Sequence, residues 1–256
     1  MSAAGGRAGG AGGAAGPPLG LPRLHLRRAD STNLRARALA ATGAPHGTLV
    51  TAAEQTAGRG RQGRSWSAPP GSSLLASLIV RDPAPLLPLA AGVAVARVAG
   101  RLDRAGRTAS VKWPNDVLLD GRKVGGILVE GRPQERWAVL GIGVNVAVEL
   151  GSLEAQLGGR AATLGLAAAA VEPALAELLA ELRRVLALGR DDVLAELRER
   201  DALRGRAVSW AGGAGTAAGI DPQGRLLVRA AEGTVALDAG EVHLAGLAAG
   251  SGAVGG

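Results

Sequence analysis

Cysteine is absent, so neither a disulfide framework nor a thiolate metal site is available. Phenylalanine and tyrosine are absent as well, and tryptophan occurs four times, so the core must be built from Leu, Val and Ala. The same lack removes the aromatic platform on which single-stranded nucleic acid stacks. No apolar run approaches the ~18 residues of a membrane-spanning helix. No basic stretch followed by an apolar one opens the chain, so no secretory signal is expected and a cytoplasmic protein is. Lysine and asparagine are almost missing. Lys112 and Lys123 are the only lysines among 29 basic residues, and Asn33, Asn115 and Asn145 are the only asparagines.

That scarcity directs attention to one stretch. The two lysines stand 123 − 112 = 11 residues apart, within Lys112-Trp113-Pro114-Asn115-Asp116 and Gly121-Arg122-Lys123-Val124-Gly125-Gly126. An ammonium approaches a carboxylate or phosphate as a compact point charge, which a planar guanidinium does not reproduce. A sequence that writes its other basic positions as Arg has kept an ammonium at these two. Pro114 predicts an extended Trp113. Asp120-Gly121, between the apolar runs Val117–Leu119 and Val124–Val129, predicts a hairpin. Gly125-Gly126 predicts a strand face that something approaches closely.

A length of 256 residues suits one medium domain and a small one, with 47% hydrophobic residues for a core. The net charge of +7 fits nucleic acid or, equally, arginines gathered on a small phosphate ligand. The wealth of Ala, Gly and Arg reads as a coding bias, which weakens the charge argument. Residues 1–22 are Gly, Ala and Pro with few large apolar side chains and read as a disordered tail, as do residues 248–256. No helix-turn-helix fits before the first structured segment.

After a short strand at Leu24–Leu26, Asp30-Ser31-Thr32-Asn33 opens a helix to about Ala41, with Gly43 ending it. These polar side chains either cap the helix or bind a polar head group. A strand at Thr48–Ala53 leads to Gln55 and then Gly58-Arg59-Gly60-Arg61-Gln62-Gly63-Arg64-Ser65-Trp66. Glycines alternating with arginines offer backbone N–H groups and guanidinium forks together, as a flexible loop over an anion requires. An RNA-binding arginine–glycine segment has the same composition. The loop's place between two strong strands, Thr48–Ala53 and Leu74–Val80, favours the anion lid. Helices are predicted over Pro85–Arg104, Pro173–Leu188 and Asp191–Leu203, with a strand over Trp137–Val146. Short strands with turns from Gly205 predict a small SH3-like β-barrel.

Together these segments resemble the biotin–protein ligases, over nearly all of residues 23–245. The resemblance rests on Ser31-Thr32-Asn33, on Gln55 with Gly58–Trp66, on Lys112–Asp116, on Gly121–Glu130 and on Gly141-Ile142-Gly143-Val144-Asn145. It implies an α+β fold: a mixed sheet with flanking helices like that of class II aminoacyl-tRNA synthetases, over residues 23–203, and an SH3-like C-terminal domain over 204–247. It also implies the short class that lacks a DNA-binding domain.

The activity it implies has two steps. Biotin is activated by MgATP as biotinyl-5′-AMP, then transferred to one lysine of the biotin carboxyl carrier domain of a carboxylase. Biotin, ATP and Mg²⁺ are then substrates and counter-ion, and no tightly bound cofactor is expected. Lys123 would bridge the biotin carboxylate and the phosphoryl oxygens. Arg59 and Arg61 would clamp from the loop, with Gly60 between them, and Arg64 would help hold pyrophosphate. Ser31, Thr32, Asn33 and Gln55 would bond biotin, with Gly125 and Gly126 admitting its ring. Trp66 would wall the adenine and Asn145 would read its edge. Lys112 and Asp116 would meet the acceptor lysine, whose pKa near 10.4 makes help with deprotonation useful. The residues that hold Mg²⁺ and the oligomeric state stay open. Two rivals remain: a lipoate or octanoate ligase or transferase of the same fold, and a basic nucleic-acid-binding protein, which leaves the lysines and asparagines unexplained. No specific DNA binding and no membrane partner are expected.

Overall fold

The computed structural model describes residues 18–152, 159–238 and 240–244. Seven strands form the main sheet: β1 (Arg23–Leu26), β2 (Leu49–Ala52), β3 (Ser73–Arg81), β4 (Ala109–Lys112), β5 (Asp116–Leu119), β6 (Arg122–Arg132) and β7 (Trp137–Asn145). Their order is β1-β2-β3-β7-β6-β5-β4. β1 and β2 are parallel and every other neighbouring pair is antiparallel.

Alternation along the central strands divides the core. Ile79 of β3 and Val139 of β7 pack against helix α1 (Thr32–Ala41) through Ala36 and Ala40. Their neighbours Leu78 and Leu140 face the other way, into the larger cluster built by α2 (Leu87–Leu102), α3 (Val171–Leu186) and α4 (Arg190–Glu199). With both faces covered, β3 is buried along almost its whole length, which explains its continuous Leu, Ile and Val content. Pro88 lies in the first turn of α2, where its missing N–H costs nothing. Gly43 takes the positive φ of 92° that closes α1. Glu181 of α3 is buried; burial would raise its pKa, but Arg97 and Arg101 of α2 hold the carboxyl below the ordinary range, and Arg184 of α3 also pairs with it.

Strands β8 (Ala207–Trp210), β9 (Gly213–Ile220), β10 (Leu226–Ala230), β11 (Gly233–Leu237) and β12 (His243–Leu244) form a second, antiparallel sheet in the order β11-β10-β9-β8-β12. The turn Asp221–Gly224 ties it to the first: Trp113 Nε1 donates to Gly224 O at 3.0 Å, and Gly224 sits against Leu86 and Leu89. Gly224 has φ +82°, and an added Cβ would stand 2.6 Å from Leu86 Cδ2, so only glycine fits. The fold is therefore α+β, a mixed sheet with flanking helices and a small antiparallel sheet after it.

One expectation needs correcting. Residues 18–22 are not a free tail: Gly20 N donates to Gly47 O, Leu49 N donates to Pro22 O, and Gly20 packs on Leu179. Backbone pairing and contact with α3 supply what the composition lacks. The rest of the expected N-terminal tail, and the C-terminal one, lie outside the described residues. β4 ends at Lys112, and the chain turns through a cis Trp113–Pro114 bond. Proline tolerates that isomer, and the turn buries the indole. Among the described residues, no helix is long and apolar enough to cross a membrane.

Candidate active site

The N-terminus of α1, the loop 55–66, the β4–β5 turn and strands β6 and β7 meet at one cleft. Its basic end is the lysine hairpin. Asp120 and Gly121 both have positive φ, the conformation of the tight two-residue turn the sequence predicted. Lys123 Nζ pairs with Asp116 Oδ1 at 2.6 Å across the hairpin, and lies 5.7 Å from the centre of the Trp66 ring. Lys112 lies on β4, opposite Asp116. Burial lowers its pKa from the ordinary lysine value, and Lys123 and Arg64 push the same way while Asp116 opposes them.

Gly126 lies on the cleft floor, but Gly125 does not, against expectation. An added Cβ at Gly126 would meet Lys123 Cε and the Trp66 ring, both at 3.3 Å. At Gly125 it would meet Gly143 O and Val95 of α2, on the opposite face. The register shifts between Val117 and Leu118, whose partners are Gly125 and Lys123. Val124 is the extra residue of a bulge, which turns Lys123 to the same side as Gly126. Unbroken alternation would have paired it with Gly125.

Loop 58–66 is an ordered lid. Gly60 N donates to Arg64 O, Trp66 N donates to Gly58 O, and a short 3₁₀ turn at Arg61–Gly63 closes it. Each arginine has a partner. Arg59 pairs with Glu130 at 3.4 Å, Arg61 Nη1 donates to Asn115 Oδ1 at 3.0 Å, and Arg64 pairs with Glu241. The Trp66 indole lies on Gly143 and Gly126, and a Cβ at Gly143 would stand 2.7 Å from the ring. Trp66 Nε1 is buried and has no hydrogen-bond partner among the described residues.

None of the Ser31, Thr32 and Asn33 side chains caps α1, which corrects the capping alternative. Gln55 reaches across instead: its Oε1 accepts from Thr32 N at 2.7 Å and from Thr32 Oγ1 at 3.0 Å. Ser31, Thr32 and Asn33 are buried and keep their polar atoms at the cleft. Asn33 Nδ2 donates to Glu130 Oε2 at 2.9 Å, and Ser77 Oγ stands 2.6 Å from Asn33 Oδ1.

Asn145 is the other expected residue away from the cleft lining. Its Nδ2 donates to Ala162 O at 2.9 Å, and its Oδ1 lies 3.4 Å from Ser73 Oγ. Segment 160–166 clasps both Lys123 and Asn145 through backbone bonds, so Asn145 helps anchor this covering segment. The sequence reading assigned no role to Ser77, Glu130 or Glu241. Ser77 and Glu130 carried a readable signal, a polar side chain in an apolar strand that needs a partner. Glu241 carried none, because its partner Arg64 lies far away in the chain.

Comparison with known proteins agrees with this geometry. The model described as the Biotin/lipoate A/B protein ligase family matches residues 26–146, and that of the Biotin protein ligase C terminal domain matches residues 214–244. A bifunctional ligase/repressor BirA of Bacillus subtilis is 46% identical over 124 residues, 45% of this chain; that match spans 38% of the relative's own length. A biotin--[acetyl-CoA-carboxylase] ligase of Mycobacterium tuberculosis is 36% identical over 231 residues, 84% of this chain and 86% of that one. The biotin protein ligase of Aquifex aeolicus, solved in complex with biotin and ATP, superposes with a TM-score of 0.74 at 26% identity, covering 87% of this chain and 97% of the other. Family models over both sheets, and an alignment running through nearly the whole of a ligase, lead to one assignment: the chain belongs to the biotin protein ligase family.

Proposed function

We propose that this protein activates biotin with ATP as biotinyl-5′-AMP and transfers the biotinyl group to a lysine on a carboxylase carrier domain. One observation carries the reading. The Lys123 ammonium and the three arginines of loop 58–66 line one cleft, together with the polar side chains of Ser31, Thr32, Asn33 and Gln55. Biotin's carboxylate and the phosphates of ATP are all anionic, so they meet only where fixed cations offset their repulsion.

In the first step a biotin carboxylate oxygen attacks the α-phosphorus and the bond to pyrophosphate breaks. Lys123 holds both anions, Arg59 and Arg61 clamp them, and Arg64 exchanges Glu241 for the leaving pyrophosphate. Ser31, Thr32, Asn33 and Gln55 hold biotin's polar groups, with Gly60 and Gly126 allowing close approach. Trp66 walls the adenine and Asn145 supports that end. In the second step the ε-amine of the carrier lysine attacks the anhydride carbonyl and AMP leaves. Asp116 takes the amine's proton, and Lys112 offsets the charge of the departing AMP. The lid keeps water from the anhydride. Mg²⁺ belongs to the substrate, carried on the phosphates of ATP with few protein ligands. Among the described residues, no three His, Cys, Asp or Glu side chains gather to hold a metal. The co-substrate ATP points to the cytoplasm as the place of action.

Mass spectrometry of a biotin carboxyl carrier domain after incubation with the protein, biotin and MgATP should show one added biotinyl group. An unchanged mass, or equal transfer of lipoate, would sink the assignment.

A further inference from the structure

Six polar side chains form a circuit through the floor of the cleft. It starts at Gln55, at the start of loop 55–66, and passes to Thr32. The Ser77 hydroxyl stands 2.8 Å from Thr32 Oγ1 and 2.6 Å from Asn33 Oδ1, and donates its single proton to one of them at a time. Asn33 Nδ2 donates to Glu130 Oε2 at 2.9 Å. The other carboxylate oxygen, Oε1, faces Arg59 and Arg37, each at 3.4 Å. Arg59 lies in the lid, 59 − 55 = 4 residues after Gln55, so the circuit begins and ends on one loop. Ser77 and Asn33 are buried, and the Glu130 side chain is 17% exposed. Water therefore does little to replace a lost partner on the floor.

We propose that Glu130 is a positioning residue that couples the floor of the cleft to the lid. One oxygen fixes the Asn33 amide and the other holds Arg59 over the cavity. The proposal rests on the biotin-activating function assigned above. A correctly seated Asn33 and a closed lid become one condition rather than two, because a single rigid carboxylate satisfies both. Arg37, half-buried on α1, shares the same oxygen but does not line the cleft.

Glu130→Gln separates the two duties, since the amide oxygen still accepts from Asn33 while the charge that retains Arg59 is gone. The test uses the full chain in biotin-dependent ATP–pyrophosphate exchange, with biotin labelling of serum albumin as a measure of escaped adenylate. KM for biotin should rise about tenfold and kcat should change less than about threefold, as loss of one charge-assisted contact predicts. Albumin labelling per pyrophosphate released should rise to the level of Arg59→Gly. The double variant should be no worse than Arg59→Gly alone, and Arg37→Gln should match the wild type. A wild-type KM and wild-type labelling in Glu130→Gln overturn the proposal, as does strict additivity with Arg59→Gly. If Glu130→Gln does not fold, Glu130→Asp decides. It keeps the charge but is one methylene short of spanning both partners, so an unchanged KM there also overturns the proposal. A wild-type protein without biotin-dependent exchange rejects the assigned function itself, whereas an active wild type with unresponsive Glu130 variants rejects only the positioning role.

Discussion

Gly141 offers a test of the cleft floor that needs no substrate. It lies on β7 directly beneath Asn33, and an added Cβ would stand 2.2 Å from Asn33 Oδ1, 2.9 Å from Cγ and 3.0 Å from Nδ2. Ordinary contact begins near 3.4 Å, so Gly141→Ala forces the amide to move by about 1 Å. Asn33 is 4% exposed and held on both sides, by Ser77 at 2.6 Å and Glu130 at 2.9 Å. Moving it breaks a neutral bond worth about 1 kcal/mol and a charge-assisted one worth about 1.5–3 kcal/mol. Gly141→Ala should therefore cost roughly 3 kcal/mol in urea unfolding. Asn33→Ala removes the atoms the methyl strikes. In that background the same Gly141→Ala should cost less than about 1 kcal/mol, a coupling of about 2 kcal/mol between the sites. Costs that simply add would mean that Asn33 is not locked over Gly141, and the floor as described would be wrong.

Four further substitutions address the cations and the join between the sheets. Arg59→Gly should release adenylate that labels bystander proteins, because the lid no longer closes, whereas Lys123→Ala should stop adenylate forming; equal labelling per pyrophosphate released would reverse the roles. Burial lowers the Lys112 pKa below the ordinary 10.5, so the unfolded chain binds that proton more tightly and stability rises with pH between the folded value and 10.5. Lys112→Met should accordingly stabilise the fold at pH 7 and lose that advantage as the pH passes 10.5, with chemical denaturation across pH as the check. Trp113→Phe removes the buried bond to Gly224 O and should lower stability by about 1–3 kcal/mol, read by thermal unfolding.

What was legible in the chain was what local rules dictate. The Asp120-Gly121 turn, the apolar runs of β3 and β7, Pro88 opening α2 and Gly43 closing α1 each follow from one residue's backbone preference or from a period of burial. The two lysines stood out by scarcity, and the hairpin does bring Lys123 to Asp116. Such features need no knowledge of what lies across the cleft.

What was not legible depends on register and on distant partners. One bulged residue, Val124, decides that Gly126 rather than Gly125 floors the cleft, and nothing local in Lys-Val-Gly-Gly announces it. Ser31-Thr32-Asn33 has the composition of a cap, yet Gln55 takes that duty from 23 residues away and frees these side chains for the cleft. Docking of residues 18–22 likewise needs Gly47 and Leu179 to be in place first. The lid shows the limit most plainly. Its three arginines look like free cations in the sequence, but in the fold they rest on Glu130, Asn115 and Glu241, contributed by β6, the β4–β5 turn and the segment entering β12. Glu130 holds Arg59 in place, while an anionic ligand entering the cleft must compete with Asn115 for Arg61 and with Glu241 for Arg64. The same competition limits non-specific anion binding, since only a ligand that offers several anionic oxygens at once can replace both partners. A basic chain with pI near 11.3 can in this way keep its most reactive cations selective.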